Sequence, residues 1–108
     1  CQFCRETGQI LEEVASLSDQ ISLVTYNFVT DKAVAEQYGI DKIPATIVMS
    51  DVDYGVRFYG IPSGYEFTSL IEGTVEVSRG KTGLTEETLQ AIAGLPEPMH
   101  IQVFVTPT

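Results

Sequence analysis

Two cysteines three positions apart, at the start of an amphipathic segment, constrain this chain more than any other feature. Cys1 and Cys4 are its only cysteines, and apolar residues recur near a 3.6-residue period over residues 4–18, which predicts a helix. A disulfide closing so short a loop would stabilise a fold little. The positive end of a helix, however, lowers the pKa of a thiol placed there. The spacing therefore favours thiol–disulfide chemistry, with Cys1 attacking and Cys4 resolving.

A structural zinc site is the other common use of this cysteine spacing. Such a site needs two further ligands, and beyond its carboxylates the chain has a single histidine, His100. We therefore expect neither a metal nor an organic cofactor.

Charge and hydropathy exclude several classes of partner. The chain has 15 acidic and 6 basic residues, for a net charge of −9, and its basic residues are scattered along the sequence. Nucleic acid and anionic membranes are therefore not expected as partners, and no apolar run approaches the roughly 18 residues that cross a bilayer. With 108 residues, 44% of them apolar, we expect one soluble domain over residues 1–108.

Periodicity and turn residues predict the element order α-β-α-β-β-α-α-β. The elements are a helix over 4–18, a strand over 21–29, a helix from about residue 30 to Gly39, strands over 45–49 and 54–59, a helix over 64–79, a helix starting at Thr85, and a strand over 100–106. Residues 94–98, which include two prolines, are interpreted as a linker before the last strand.

Pro44 adds to the interpretation of the cysteine pair. It precedes a predicted apolar strand roughly 40 residues after Cys4, where thioredoxin-like folds place a cis proline facing the disulfide. There the main chain around Ile43, Pro44 and Ala45 would pair with an extended substrate. Phe3, between the cysteines, is expected to lie on the surface and contact substrate.

Four segments give the chain a more specific resemblance. They are CQFC (1–4), EQYGIDKIPATIV (36–48), DYGVRFYGIPSGYEFTSLIEG (53–73) and VFVTPT (103–108). With these segments the chain resembles the protein disulfide oxidoreductases of thermophiles, a family also described as glutaredoxin-like, whose members hold two thioredoxin-fold units, each with its own CxxC. The resemblance implies a three-layer α/β/α fold with a mixed sheet, cytoplasmic protein dithiol or disulfide substrates, and a partner reductase.

The chain also departs from this family. In the family a strand precedes the first CxxC, and VFVTPT leads into the second, so we expect this chain to be a segment cut from one CxxC to the strand before the next. Residues 101–106 are expected beside residues 45–49, in the vacant central position, which would give a circularly permuted fold. That strand would come from the same molecule or be exchanged in a strand-swapped homodimer; otherwise residues outside this chain would supply it.

Three functions remain open from the sequence. The first is a dithiol oxidoreductase, whether reductase, oxidase or isomerase, acting on protein disulfides. The second is a non-catalytic thioredoxin-like fragment or a binding or assembly module, in which Cys1 is not reactive. The third is an electron-accepting domain similar to that of a peroxide reductase flavoprotein.

Overall fold

The computed structural model describes residues 1–106, which form four helices and one two-stranded sheet. The elements are α1 (Gln2–Ala15), α2 (Lys32–Gln37), β1 (Ala45–Ile47), β2 (Arg57–Tyr59), α3 (Tyr65–Arg79) and α4 (Glu86–Ala93). The chain is thus a small α/β protein, and its order α-α-β-β-α-α has two strands fewer than predicted. The end of the VFVTPT segment, residues 107–108, lies outside the described residues.

The four predicted helices are present, and local sequence signals mark one end of three of them. Thr85 caps α4 by accepting a hydrogen bond of 3.2 Å from the amide of Thr88, as a hydroxyl at this position does. α3 ends at Gly80, whose φ of 64° suits glycine. α1 begins earlier than predicted, at Gln2, because Cys1 itself serves as its N-cap.

The predicted hairpin is also present, in a shorter form. β1 and β2 are antiparallel, with the register Ala45↔Tyr59, Thr46↔Phe58 and Ile47↔Arg57. The amide of Gly60 continues the ladder by donating to the carbonyl of Pro44 at 2.9 Å. At the turn, the amide of Gly55 donates to the carboxylate of Asp53 at 2.9 Å.

Two predicted strands, 21–29 and 100–106, are not formed among the described residues. The expectation that residues 101–106 lie beside residues 45–49 is wrong for the single chain, and circular permutation and the full three-layer mixed sheet are not confirmed. The physical reason is common to both segments. A strand is completed by a neighbour that pairs with its main chain, and within residues 1–106 the sheet contains no strand besides β1 and β2.

The core is correspondingly small. The buried apolar side chains are Val14 of α1, Leu70 and Val77 of α3, and Pro62 just before α3. α3 lies against the hairpin, since a Cβ at Gly73 would be 3.9 Å from the ring of Phe58. The radius of gyration is 14.9 Å, against about 13 Å for a compact domain of this length. The fold is therefore open, with much apolar surface in contact with solvent.

Candidate redox site

The two cysteines form a disulfide at the start of α1. Cys1 and Cys4 are bonded, with their Cα atoms 5.2 Å apart, within the usual range for a disulfide. The bridge spans a sequence separation of 3, so it forms within the first turn of the helix. Both sulfurs belong to this one local element, which can place them without help from distant parts of the chain.

The helix end supplies the electrostatics of the pair. The Sγ atom of Cys1 accepts a hydrogen bond of 3.2 Å from the amide of Cys4, and the first turn of α1 holds no acidic residue. The free amides of a helix N-terminus and its positive dipole end stabilise negative charge there. The Sγ atom of Cys1 therefore lies where a hydrogen bond and the field of the helix end both favour negative charge.

The two cysteines differ in their exposure to solvent. Cys1 is exposed and Cys4 is half-buried, so Cys1 is the more accessible of the two. Phe3 lies between them in sequence and is 58% exposed, which places its ring on the surface as predicted. The contact of Phe3 with substrate stays a prediction.

The predicted substrate segment has its own geometry. The Ile43–Pro44 peptide bond is cis; Ile43 is 46% exposed, and Pro44 and Ala45 are half-buried. Among residues 1–106, no hydrogen bond engages the main chain of Ile43. Nor does any bond or ion pair join either cysteine to residues 43–45 in that part of the chain. That these residues line one groove with the disulfide therefore remains a prediction.

Sequence reasoning missed an ion pair that fixes the hairpin. Both Nη atoms of Arg57 donate to the carboxylate of Asp53, at 2.8 and 2.7 Å. Nη2 also donates to the carbonyl of Tyr38, 3.2 Å away. Hydrogen bonds from Arg57 and from the Gly55 amide lower the pKa of Asp53 from 3.8 to about 2. Arg57 thereby ties the hairpin to the end of α2, just before the segment that contains Pro44.

A second cation lies beside the same segment. The Lys42 ammonium is 4.8 Å from the centre of the Tyr59 ring and 2.8 Å from the carboxylate of Asp41. Both partners of this ion pair are exposed, so its stabilisation is small.

The i, i+4 spacing of Asp53 and Arg57 was visible in the sequence, but it indicates a contact only once the turn between them is known.

Metal ligands and membrane spans were searched for in the same part of the chain. Within residues 1–106, no three His, Cys, Asp or Glu side chains gather in a way that could hold a metal ion. His100 is exposed. No helix in that range is both long and apolar enough to cross a bilayer.

Known proteins similar to this chain are redox proteins. An alkyl hydroperoxide reductase subunit of Staphylococcus epidermidis is 28% identical over 104 residues, covering 95% of this chain and 18% of the relative. The corresponding protein of Pseudomonas aeruginosa is 26% identical over 100 residues, covering 93% and 17%. Thioredoxin 1 of Synechococcus elongatus is 36% identical over 52 residues, covering 47% of this chain and 49% of that protein. No protein-family model matches the chain.

The similar proteins and the cysteine pair indicate the same broad class of protein. The chain spans less than a fifth of the length of the reductase subunits it matches. The Cys1–Cys4 disulfide together with the distant similarity to thioredoxin and to the reductase subunits fits a thioredoxin-like redox protein. The thermophile family that the sequence resembles is not shown by these relatives.

Proposed function

We propose that this chain is a thiol–disulfide oxidoreductase that uses Cys1 and Cys4 on protein disulfides. The observation that carries the proposal is the position of the Cys1 sulfur: it is bonded to Cys4, lies at the N-terminus of α1, and belongs to an exposed residue. A disulfide with this placement is accessible to exchange, and its reduced form is stabilised as a thiolate. Exposure is the feature that separates it from a buried structural bridge.

The reaction proceeds through two exchanges. In the reduced protein the Cys1 thiolate attacks one sulfur of a substrate disulfide; a mixed disulfide forms and one substrate thiolate leaves. The Cys4 thiolate then attacks Sγ of Cys1, which restores the Cys1–Cys4 bond and releases the second substrate thiolate. Two electrons pass from the protein dithiol to the substrate, whose thiolates take protons from solvent. A partner reductase returns the protein to the dithiol form, and the reverse sequence oxidises a substrate dithiol.

The segment 43–45 supports a peptide as the substrate. The main-chain groups of Ile43 make no hydrogen bond within residues 1–106, so they are available to an extended chain, as in strand addition. The side chains of Phe3 and Ile43 are 58% and 46% exposed and offer apolar surface to the residues flanking a substrate cysteine. We expect this encounter to occur in the cytoplasm.

A second candidate function comes from the relatives. The matched proteins of Staphylococcus epidermidis and Pseudomonas aeruginosa are named as subunits of an alkyl hydroperoxide reductase, and each match covers more than nine-tenths of this chain. The same dithiol would then pass electrons to one dedicated protein disulfide of a peroxide-reducing system. The chemistry at Cys1 is the same in both cases, and the breadth of the substrate range distinguishes them.

Reduction of insulin by dithiothreitol, followed by turbidity, tests the proposal. The full chain should accelerate the reaction and Cys1→Ser should abolish the acceleration. In a separate incubation without dithiothreitol, the reduced Cys4→Ser variant should accumulate a mixed disulfide with the mass of the chain plus insulin, because no resolving thiol remains. Asp51→Asn, a change at an exposed residue in the connection between β1 and β2, is the matched control and should behave as the parent.

Two other results would redirect the assignment. If the parent chain reduces insulin no faster than dithiothreitol alone, and Cys4→Ser captures nothing, the chain is a non-catalytic module. If insulin is a poor substrate but the disulfide of a peroxide-reducing enzyme is reduced at least about tenfold faster, the dedicated electron relay is the better description.

A further inference from the structure

One edge of β1 is unpaired and regularly arranged. The carbonyl of Pro44 accepts from the amide of Gly60, and the register places Thr46 opposite Phe58. In an antiparallel ladder, hydrogen-bonded residues alternate with residues whose main-chain groups point the other way. Ala45 and Ile47 therefore direct their N–H and C=O groups away from β2, along an edge that no described strand covers.

A segment near the end of the described chain has the complementary properties. Residues 101–105 form no helix or strand and lie outside the sheet. Their apolar side chains face solvent: Ile101 is 83% exposed, Val103 79% and Phe104 89%. A run of β-branched and aromatic residues has high strand propensity, and exposed apolar segments of this kind mark sites of association.

The accessible surface area of the chain indicates how large an interface it could form. Its accessible area is 8600 Å², whereas a compact monomer of this mass exposes about 5,900 Å². The excess is about 2,700 Å² per chain by that scaling. A standard interface buries about 800 Å² per partner, and obligate dimers bury up to about 2,500 Å² per partner. The uncovered area is thus of the size that an obligate dimer buries.

We propose that residues 101–105 of one copy dock as a strand on the Ala45–Ile47 edge of a second copy, and that the exchange is reciprocal. The two contacts are then identical and related by a two-fold axis, so the assembly closes as a dimer. Pro96 and Pro98 stiffen the connection after α4, which favours exchange between copies over docking on the same sheet. The main chain of Ile43 is left open for substrate.

Charge opposes this association and makes it depend on salt. Each copy carries a net charge of −9, so two copies repel each other, and added salt screens the repulsion. The dimer should therefore be tighter at high ionic strength than at low. An interface built on opposite charges would respond in the other direction.

Sedimentation equilibrium of the full chain, with isotope-filtered NMR on a mixture of labelled and unlabelled chains, tests the proposal. We expect a dimer with intermolecular contacts between residues 101–105 and 45–47. Successive N–H groups of a strand point to opposite edges, so one of Val103→Pro and Phe104→Pro must remove a hydrogen bond to β1. That variant should weaken dimerisation at least about tenfold. Val103→Ile and Phe104→Tyr, which keep the N–H group, are the controls.

Each contrary result overturns the proposal. A monomer at every concentration refutes the association itself. A dimer that neither proline variant weakens, or one in which residues 101–105 show no intermolecular contact, places the interface elsewhere. Contacts between 101–105 and 45–47 within a monomer mean that the strand docks on its own molecule.

Discussion

The ion pair between Asp53 and Arg57 makes a quantitative prediction for the stability of the hairpin. The pKa of Asp53 is lowered from 3.8 to about 2, and each pKa unit is worth about 1.4 kcal/mol. Unscreened, the shift would contribute about 2.4 kcal/mol at neutral pH. The Asp53 side chain is 28% exposed and that of Arg57 18%, so solvent screening reduces the expected contribution to about 1 kcal/mol.

The sign of the pH dependence follows from the direction of the shift. Because the folded pKa lies below the unfolded one, the stabilisation is complete above pH 3.8 and is lost as the pH falls towards about 2. Asp53→Asn can retain the oxygen that accepts from the Gly55 amide and from Nη1 of Arg57, and it removes the charge together with the acceptor of the Nη2 hydrogen bond. We therefore expect the variant to be about 1 kcal/mol less stable than the parent at neutral pH, with the charge-dependent part of the difference lost below pH 2.

Urea unfolding at a series of pH values measures this difference directly. Asp51→Asn removes one negative charge from the same connection between the strands and corrects for general charge effects. Parallel stability curves for the parent and Asp53→Asn over the whole pH range would show that the ion pair contributes nothing. A variant more stable than the parent at neutral pH would show that desolvation of the two charges outweighs their attraction.

Three further predictions concern the cysteine pair and two glycines. After reduction, iodoacetamide at neutral pH should label Cys1 before Cys4, because Cys1 is the more exposed and lies at the helix end; preferential labelling of Cys4 would exchange their roles. Gly8→Ala should raise the unfolding free energy by about 0.5–1 kcal/mol, since Gly8 lies within α1 with nothing inside 4 Å of an added Cβ. Gly80→Ala should lower the unfolding free energy by about 1 kcal/mol because φ at Gly80 is 64°. Thermal melts of both variants measure these changes. Equal shifts in the two variants would show that backbone conformation does not decide the effect.

What the sequence could predict was limited by the range of the interactions involved. The helices follow from caps and periodicity within a few residues, as with Thr85 for α4 and Gly80 for α3. The disulfide follows from a spacing of three residues. The hydrogen bond from Arg57 to the carbonyl of Tyr38 joins residues 19 positions apart, and no local pattern encodes it.

The two incorrect strand predictions have the same origin. Residues 21–29 and 100–106 have the composition of strands, but composition expresses only what a segment gains once a neighbour is present. Whether a neighbour is present is a property of the assembled sheet. The sequence indicates two strands that need partners, and within residues 1–106 the sheet contains only β1 and β2, so both segments lack a paired neighbour.

Because the amide of Cys4 donates a hydrogen bond to it, Sγ of Cys1 has two roles. The same Sγ that would exchange bonds with a substrate also completes the first turn of α1, so each mixed disulfide or alkylation changes the cap of a 14-residue helix. The residues that cap helices best, Ser, Thr, Asp and Asn, have no sulfur. Substitution at position 1 can therefore preserve the helix or the chemistry, and only cysteine preserves both.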